Sequence, residues 1–582
     1  MTQKNAVLKR QLINFLVEAG INVTPNTLEI LLKLDSPRLS VEQIVNEVNF
    51  LPNFNGALTV DVLKKLSIKE IKKVLKRDVL NSLPKIDDPL DISEKKNPLD
   101  LNTEMNYDQH QSNVMQQNII VPKDLSSFAN SSNINDKKIK YEKTIDDSAK
   151  SSLSFKPQAK YYDFDYKILK DPTGKLYTNG AYEDFYEMTL DKYNTLKNLM
   201  KKRPEVLSAM DIKRINRLTN SAEVSTMGLV KSIRRTKNDN FFLVLEDLSG
   251  QLNALINKDI ENKNDLKTIE RTICDQMIYI EGNYNPSDKG KLGIVFVNKF
   301  TKIDIPTDFN PNTSLDPVSI ALISDTHIGS REFEEPLFRR FIEFLNGKVG
   351  NKKIRSIAEK VKYIIINGDL VDGIGVYPNQ FDDLLIPDIY NQYTKSMEFL
   401  KEIPEYIKIF YVSGNHEPVR NAIPRPAVPK QYCQELFDIE VQCLGNPSLI
   451  NTHGVNTLIY HGEGIHDLNM LIPDLDINKP VEAMKEFLIS RHLAPVFGEK
   501  TQLAPVSKDW LVIDNIPDIL HTGHVHINGY GKYHNVSLVN SGCFQAQTDF
   551  MRSFGIIPTI GIVPIVELDT LRPQILDFKK QI

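Results

Sequence analysis

The chain has 582 residues, of which 41% are hydrophobic and 25% are charged. These proportions are ordinary for a globular protein, and the length predicts roughly three or four domains of about 150 residues each. The net charge of −4 excludes a chain that is basic as a whole, so any attraction for DNA or RNA must come from local basic patches or from another subunit.

Neither export nor membrane insertion is expected. The N-terminal segment lacks the apolar core and the small-residue cleavage site of a secretory signal, and no run of about 18 apolar residues occurs. None of the four cysteines forms a CxxC pair: Cys274, Cys433, Cys443 and Cys543. We therefore expect reduced thiols in an intracellular protein rather than a zinc or redox motif.

The first part of the chain is predicted to be helical and then to lose its order. In "LKRQLINFLVEAG" apolar residues recur every three or four positions before a glycine, and "TVDVLKKLSIKEIKKVLKRDVL" continues the pattern. We predict an α-helical N-terminal bundle over residues 1–80, either a module that docks DNA or a partner, or a plain helical domain. Residues 81–158 are rich in Ser, Asn, Asp and Lys without apolar periodicity, which predicts a disordered linker.

The middle of the chain changes from a helical to a β pattern. The run "GAYEDFYEMTLDKYNTLKNLMKKR" predicts a helical connector over residues 159–215. In residues 216–308, "NFFLVLEDLSGQLNALI" resembles the first hairpin of OB-fold barrels, which often bind oligonucleotides. Lys231, Arg234 and Arg235 form a basic run that we assign to DNA contact. A solvated hairpin, or a barrel used for subunit packing, is the alternative.

Residues 309–582 alternate strands with helices and hold most of the histidines. Ten of the eleven histidines lie between His327 and His534. Each of five apolar runs is followed by a polar loop: "ISDTHIG", "NGDLVDG", "SGNHEP", "YHGEG" and "TGHVH". Loops at strand ends commonly form the site in α/β sheets. One such histidine is usually structural, but the ordered set D-x-H, G-D-x-x-D, G-N-H-E, H-G and G-H-x-H is highly specific.

This set resembles the calcineurin-like metallophosphoesterase superfamily. The resemblance implies a two-sheet αββα fold for residues 309–582 and a site with two metal ions. One ion would be bound by Asp325, His327, Asp369 and His526. The second would be bound by Asp369, Asn415, His461 and His524, with Asp369 bridging. The resemblance further implies that His416 faces the scissile phosphate and acts on the leaving group, and that Asp372 orients His416.

The chemistry of the residues agrees with this assignment. Carboxylate, imidazole and amide ligands without thiolate suit Mn²⁺, Fe or Zn²⁺ more than Ca²⁺. We expect two divalent ions, Mn²⁺ first, with Mg²⁺, Fe and Zn²⁺ as alternatives. Two such ions can activate water and neutralise charge on a phosphoryl group. We expect D-x-H and H-x-H to point both side chains to one face of an extended strand end. Gly368, Gly414 and Gly523 would let the backbone pass close to the ions.

Residues around this pattern reduce the number of substrate classes to consider. Protein Ser/Thr phosphatases carry arginine directly after "GDxVD", where this chain has Gly373. Together with "RHLAPVFG", the motifs resemble the small subunits of archaeal family-D DNA polymerases. That resemblance implies a proofreading 3′→5′ exonuclease acting on single-stranded and primer–template DNA, paired with a large polymerising subunit, with the sliding clamp as a partner through the complex.

Two other functions stay open at this point. One is a catalytically silent assembly subunit, and the other is a stand-alone phosphodiesterase for a small nucleotide. We assign Arg491 and His492 of "SRHLAP" to steering DNA or a partner, with the packing of a helix end as the alternative. His521 and Cys543 are interpreted as structural, and His453, His466 and His534 receive no role.

Overall fold

The structure is a computed structural model. It describes residues 155–580 apart from 205, 207, 260–262, 288–290 and 554, together with a discontinuous set of residues between 12 and 72. The chain divides into two compact units, Met1–Glu142 and Lys143–Ile582. Among the described residues, no helix combines the length and the apolar character needed to cross a membrane.

The first unit contains helices α1 (Pro37–Val48) and α2 (Val60–Lys65) and two short parallel strands, β1 (Asn22–Val23) and β2 (Ala57–Leu58). Its core contains buried aliphatic residues from these elements and from the segments between them. The strand pair was not predicted. Leu12, Leu16, Ile30 and Leu31 are also helical. Many other positions of residues 1–80 lie outside the described residues, so the helical bundle stays a prediction. The predicted linker lies outside them except for its last four residues.

The second unit contains a barrel and two large sheets. Its strands are β3 (Tyr166–Lys170), β4 (Ala222–Arg235), β5 (Phe241–Asp247), β6 (Gly250–Ile256), β7 (Met277–Asn285), β8 (Ile294–Lys302), β9 (Ser319–Ile323), β10 (Val361–Asn367), β11 (Lys408–Val412), β12 (Gln442–Leu444), β13 (Ser448–Thr452), β14 (Val455–Ile459), β15 (Ile519–Thr522), β16 (Gly529–Tyr533), β17 (Val536–Asn540), β18 (Ile562–Glu567) and β19 (Pro573–Asp577). Its α-helices are α3 (Tyr182–Lys201), α4 (Ile212–Ile215), α5 (Lys263–Glu270), α6 (Glu335–Leu345), α7 (Lys352–Ala358), α8 (Ile389–Leu400), α9 (Gln434–Asp438), α10 (Gly464–Leu471), α11 (Pro480–Ser490) and α12 (Asp549–Ser553). Two 3-10 helices span Gln158–Tyr161 and Gln380–Asp383.

Strands β4 to β8 close into a barrel in the order β4-β5-β6-β8-β7, in which β7 returns to pair with β4. Only the β6–β8 pair is parallel. The barrel strands alternate buried and accessible residues, as in β5, so one face of each strand fills the interior. Ile212 and Ile215 of α4 add to this apolar core.

The other strands form two six-stranded sheets that pack face to face. Sheet I has the order β12-β11-β10-β9-β18-β19, and sheet II has the order β16-β17-β15-β14-β13-β3. Strand β10 shows why these layers form: Tyr363 and Ile365 belong to the core between the sheets, whereas Ile364 and Ile366 pack under the helices outside sheet I. Both faces of the strand are therefore apolar, as expected for a buried parallel strand.

Helices cover the outer face of each sheet and complete an α–β–β–α arrangement. Helices α6 and α8 pack on sheet I, and α10 and α11 pack on sheet II. The prediction that residues 159–215 form a purely helical connector is wrong for Tyr166–Lys170. This segment is an edge strand of sheet II that pairs with β13, and pairing with a distant segment is not visible in a local pattern.

Candidate metal centre

The five polar loops of the sequence meet at one edge of the two sheets. Three loops follow β9, β10 and β11 of sheet I, and two follow β14 and β15 of sheet II. These five strands are parallel to their relevant neighbours, so their carboxyl ends open on the same side. The two sheets thus place side chains from both halves of the domain around one point.

Asp325, His327 and His526 form the first group of possible ligands, and all three are buried. The Nε2 atoms of His327 and His526 lie 3.1 Å apart. Asp325 Oδ1 lies 3.3 Å from His526 Nε2 and accepts no hydrogen bond among the described residues. Three ligand atoms therefore converge on one point, and the carboxylate oxygen among them accepts no hydrogen bond, which fits a cation.

Asp369, His461 and His524 form the second group. His461 Nε2 lies 3.3 Å from Asp369 Oδ2 and 3.0 Å from Asn415 Oδ1, so the amide joins this group as expected. The same Asp369 Oδ2 is 3.8 Å from His327 Nε2 of the first group. Asp369 therefore lies between the two groups, where a bridging ligand would be.

Hydrogen bonds on the far side of two imidazoles determine which nitrogen is free. His461 Nδ1 is 2.8 Å from the carbonyl oxygen of Asn367, and a carbonyl can only accept, so Nδ1 carries the proton. Likewise, His327 Nδ1 donates to Asp372 Oδ1 at 3.0 Å. In both rings Nε2 is therefore the nitrogen that faces the centre, as in histidine ligands of metals.

The charges of the site also favour cations. Burial alone lowers the pKa of His461, but Asp369 and Asp325 outweigh it and raise this pKa to about 10. Burial raises the pKa of Asp369, yet the charges of His461 and His416 bring it well below its usual range. Three carboxylates, those of Asp325, Asp369 and Asp372, are buried here, and divalent cations would neutralise them.

The backbone at the ligands differs from the sequence expectation. Asp325, His327, Asp369, His524 and His526 all have φ between 52° and 68°, in the left-handed region. The expectation that an extended strand end aligns D-x-H and H-x-H is therefore wrong. Both residues of each pair turn to the centre because both have the same unusual backbone conformation.

The glycines named from the sequence are required by close contacts. A Cβ atom at Gly368 would lie 2.3 Å from His461 Nδ1, and one at Gly414 would lie 2.3 Å from Asp369 Oδ1. At Gly523 it would lie 2.7 Å from Asp325 Oδ2. Each glycine thus leaves the space that a ligand side chain occupies.

His416 lies at the edge of the centre, beside the first group. Its ring packs edge-on against His327 with centroids 4.6 Å apart, and its backbone N–H donates to Asp369 Oδ1 at 2.9 Å. His416 Nδ1 is 2.7 Å from the backbone carbonyl of Asp372, so Nδ1 is the donor and Nε2 is free. The side chain is 13% exposed, which leaves it accessible to a substrate.

The expected role of the Asp372 carboxylate needs correction. Its Oδ1 is 3.0 Å from His327 Nδ1 but 3.9 Å from His416 Nδ1. The carboxylate therefore orients the ligand His327 first, and it is the main-chain carbonyl of Asp372 that orients His416. Gln380 and Gln545 hold the carboxylate from the other side with hydrogen bonds of 3.1 and 3.2 Å.

A close contact and a positive φ also require glycine at position 373. Its φ is +70°, and a Cβ atom there would lie 2.1 Å from the His416 carbonyl oxygen. The arginine that protein phosphatases carry at this position would not fit without moving the backbone of His416.

Glu417 is a residue that the sequence analysis quoted in "SGNHEP" without giving it a role. Its buried carboxylate accepts hydrogen bonds from the backbone N–H groups of Asp369, Leu370 and Gly414 and from the Tyr411 hydroxyl. Burial and then the charge of Asp369 raise the pKa of Glu417 to about 7. The glutamate thus joins the loop after β10 to the loop after β11.

A cleft of about 490 Å³ opens above the two groups. It is lined by five of the proposed ligands and by His416; the ligands are His327, Asp369, Asn415, His524 and His526. One wall is apolar and includes Ile477, Val525, Met551 and Ile556. His466 and Lys500, which received no role from the sequence, line the cleft as well.

The assignment of Arg491 and His492 to DNA contact is wrong. Arg491 is 5% exposed, and its guanidinium donates to the carbonyl oxygens of Ile513 and Asp514. His492 is 1% exposed and its Nε2 lies 2.9 Å from Asp509 Oδ2. Both side chains are used inside the protein at the end of α11, so neither is available to DNA.

The basic run Lys231, Arg234 and Arg235 lies on barrel strand β4 and does not line the cleft. Lys231 Nζ is 3.6 Å from Glu246, and Arg235 pairs with Asp239 and Glu270 at 3.0 and 2.8 Å. Arg234 lies over the Phe242 ring. Two of the three cations are therefore partly neutralised, and DNA contact by this run stays a prediction.

The remaining histidines have structural contacts. His521 is buried, its Nε2 is 2.7 Å from Ser541 Oγ, and burial lowers its pKa to about 3. His453 pairs with Asp316, and His534 contacts the carbonyl of Ile305. Cys543 is buried, and its Sγ lies 3.2 Å from the carbonyl oxygen of Gln545.

Comparison with known proteins gives a consistent result. A family model of calcineurin-like phosphoesterases matches residues 318–528. The chain is 38% identical over 411 residues to the DNA polymerase II small subunit of Methanothermobacter thermautotrophicus, covering 70% of this chain and 83% of that protein. It is 37% identical over 399 residues to the one from Archaeoglobus fulgidus, covering 69% and 78%.

A third relative, the DNA polymerase II small subunit of Pyrococcus abyssi, is 40% identical over 401 residues. The match covers 68% of this chain but only 63% of that longer protein. The sequence identities and the coverage lead to one conclusion: the chain belongs to the family of DNA polymerase II small subunits and contains a calcineurin-like phosphoesterase domain.

Proposed function

We propose that this protein is the 3′→5′ exonuclease subunit of a two-subunit DNA polymerase, and that it removes misincorporated nucleotides from the 3′ end of single-stranded or frayed primer DNA. The observation that carries the proposal is that seven candidate ligand side chains meet at one centre below a cleft, with His416 beside them. A catalytically silent subunit would have no need to keep every ligand in place.

Asp325, His327, Asp369 and His526 would hold one divalent cation, and Asp369, Asn415, His461 and His524 the other. We propose Mn²⁺, with Mg²⁺, Fe and Zn²⁺ as alternatives, because mixed oxygen and nitrogen donors without thiolate suit such ions better than Ca²⁺. When bound, such a pair of ions supplies Lewis acidity that activates water and neutralises charge on the phosphoryl oxygens. The residues present fit this pair, since the buried Asp325 Oδ1 has no hydrogen-bond donor and the Nε2 atoms of His327 and His461 face the same centre.

His416 is the proton donor in this proposal. Its Nδ1 is committed to the Asp372 carbonyl, so Nε2 faces the cleft. Hydrolysis forms a bond from the oxygen of water to phosphorus and breaks the bond from phosphorus to the 3′ oxygen. With Nδ1 and Nε2 both protonated, His416 passes the Nε2 proton to that oxygen, which departs as a hydroxyl, and the attacking water releases its proton to solvent. General acid catalysis of this kind contributes about 10²–10⁴-fold to a rate.

The other parts of the proposal concern partners. The relatives are named as small subunits, so we propose that a large subunit carries the polymerase site. We also propose that the protein acts in the cytoplasm, in association with the nucleoid. The sliding clamp is proposed as a further partner of the complex. We also propose that the barrel β4–β8 is an OB fold, supported by its five strands and its single parallel pair, β6–β8.

The test incubates the full chain, with and without the large subunit, with 5′-labelled single-stranded DNA and Mn²⁺. Stepwise shortening from the 3′ end that is lost in His416→Ala is the expected result. His534→Ala is the matched control, because His534 lies outside the cleft. Absence of digestion with every divalent metal, while the large subunit still binds, would overturn the proposal in favour of the silent subunit. Hydrolysis of small nucleotides but not DNA would favour the stand-alone phosphodiesterase.

A further inference from the structure

Two polar side chains in the cleft have no task inside the protein. His466 of α10 and Lys500 of the loop after α11 both line the cleft. Neither side chain has a hydrogen bond or ion pair among the residues that the structure describes. By contrast, Arg425, another cation in the cleft, is buried and paired with Glu463. The positive charge of Lys500 is therefore uncompensated at the rim of the cleft.

His466 and His416 lie on different sides of the proposed metal centre. The His416 ring packs against His327 of the first group, with centroids 4.6 Å apart. The His466 ring packs against His524 of the second group, with centroids 5.1 Å apart. His416 is assigned to the leaving group, so His466 is placed where a different part of the substrate has to be held.

The segment around Lys500 is fixed in position on both sides. Thr501 is buried and its backbone N–H donates to Asp467 Oδ2 at 3.2 Å, which ties the segment to α10, the helix of His466. Ile423 and the Gln502–Ala504 stretch exchange backbone hydrogen bonds of 2.9 and 2.8 Å. The exposed side chain of Lys500 is thus presented from a rigid base, which reduces the entropy lost when it binds a ligand.

We propose that His466 and Lys500 form a phosphate-binding arm that holds the DNA backbone on the His524 side of the cleft. Lys500 pairs with one phosphate of the strand, and His466 donates a hydrogen bond to a phosphate oxygen. This inference rests on the proposed function, since it names how that same site holds a nucleic-acid strand. The chemistry favours a phosphate because a lysine without a carboxylate partner stands beside an imidazole donor.

The experiment measures binding rather than cleavage. Fluorescein-labelled single-stranded DNA is titrated with full-length His416→Ala protein in Mn²⁺ at several salt concentrations. Adding Lys500→Ala should weaken binding about 5–10-fold and reduce the slope of log Kd against log salt by about 0.7, the value for one phosphate contact on a single strand. Lys508→Ala is the matched control, because Lys508 is exposed over Trp510 and does not line the cleft.

A second experiment locates the phosphate that Lys500 contacts. Single neutral methylphosphonate linkages are placed one at a time along the oligonucleotide. One position should weaken binding to the parent but no longer matter in Lys500→Ala, as expected when the two changes remove the same contact. For His466, a loss of affinity in His466→Ala that is partly restored in His466→Gln, which keeps an N–H donor, is expected.

The outcomes separate this inference from the proposed function. Equal salt slopes for Lys500→Ala and Lys508→Ala, or a methylphosphonate profile that Lys500→Ala leaves unchanged, would overturn the arm even if the wild-type protein digests DNA. A Lys500-dependent slope in a protein that never shortens DNA would support the arm and contradict the nuclease. Preferential binding of an acidic peptide over DNA would also overturn the arm.

Discussion

Five proposed ligands hold a backbone conformation that is unfavourable for residues other than glycine. A left-handed conformation costs roughly 1–2 kcal/mol per residue, so these positions need support from their surroundings. Part of it is visible: the backbone N–H groups of Asp325 and His327 each donate at 3.0 Å, to the carbonyl oxygens of Gly368 and Asp369. The loops after β9 and β10 thus hold one another, and the ligands at their ends are placed before any ion binds.

Removal of divalent metal should lower the thermal stability of the protein. An ion that binds only the folded state stabilises it by about 2.7 kcal/mol at a concentration 100-fold above its Kd. We expect EDTA to lower the Tm and Mn²⁺ to restore it, with a much smaller restoration in Asp369→Asn, because Asp369 lies between both ligand groups. The measurement is calorimetry with and without metal. Asp382→Asn, an exposed position, serves as the control. An equal Mn²⁺ shift in Asp369→Asn would contradict the bridging role.

Asp372→Asn distinguishes two roles of this side chain. The carboxylate contacts His327 at 3.0 Å and is farther from His416, so its loss should first weaken the binding of metal. Loss of a group that orients a metal ligand costs about 10–100-fold in metal affinity or activity. We expect the Mn²⁺ concentration for half-maximal activity to rise. If kcat falls at saturating Mn²⁺ while this concentration stays the same, the carboxylate acts mainly through His416 instead.

At the scale of elements, Glu417 holds two loops of the site in one arrangement. Its carboxylate accepts three backbone N–H groups, of Asp369, Leu370 and Gly414, and it is 4% exposed. Strands β10 and β11 are paired through backbone hydrogen bonds, but this pairing ends at Asn367 and Val412 and does not continue into the loops that follow. The hydrogen bonds of Glu417 join the two loops instead, so the positions of Asp369 and Asn415 depend on this glutamate.

Glu417→Ala should therefore reduce the stability of the fold and the affinity for metal together. Each buried N–H group left without an acceptor costs about 1–3 kcal/mol. We expect a lower Tm, measured by calorimetry, and a lower affinity for Mn²⁺, measured by metal titration of the same preparation. The control is Glu405→Ala, because Glu405 is exposed in the loop before β11. A lower Tm with unchanged metal affinity would show that the loops keep their places without this residue.

The sequence was sufficient for the parts of the fold and site that depend on local pattern. Apolar runs such as "KYIIING" end in polar loops, and the ordered motifs contain the side chains of both candidate ligand groups. The roles of Glu417, His466 and Lys500 at the site were not predicted. Contacts between distant segments were not predictable: the pairing of Tyr166–Lys170 with β13, the burial of Arg491, and the left-handed backbone at Asp325. These features come from tertiary packing, which overrides local preference.

At the scale of the whole second unit, the barrel is attached to the phosphoesterase sheets through α11. Arg271, which follows α5 of the barrel, lies 3.1 Å from the buried Glu486 of α11, and Gln276 donates to Ser490 at 2.7 Å. Lys302, the last residue of β8, is 6% exposed and donates to the backbone carbonyl of Arg271 at 2.9 Å. Charged and hydrogen-bonded groups thus define how the barrel sits on the sheets, and their protonation should affect stability.

The free energy of unfolding should depend on pH through the lowered pKa of Lys302. Burial lowers its pKa from 10.5 to about 8, although Glu486 and Asp304 oppose the change. Between about pH 8 and 10.5 the folded protein has lost this proton while the unfolded chain still holds it. Unfolding therefore takes up a proton in this range, and the contribution of Lys302 to the free energy of unfolding increases as pH rises.

The test compares wild type with Lys302→Met by urea unfolding at pH 7, 8, 9 and 10, and follows the difference between them so that other titrating groups cancel. The wild type should gain stability relative to Lys302→Met from about pH 8 upward and show a constant difference below it. Lys299→Met is the matched control on the same strand, since Lys299 is 42% exposed and pairs with Glu281 at the surface. A difference that is flat across this range, or that falls, would show that Lys302 stays charged and that the barrel junction stabilises the ammonium group.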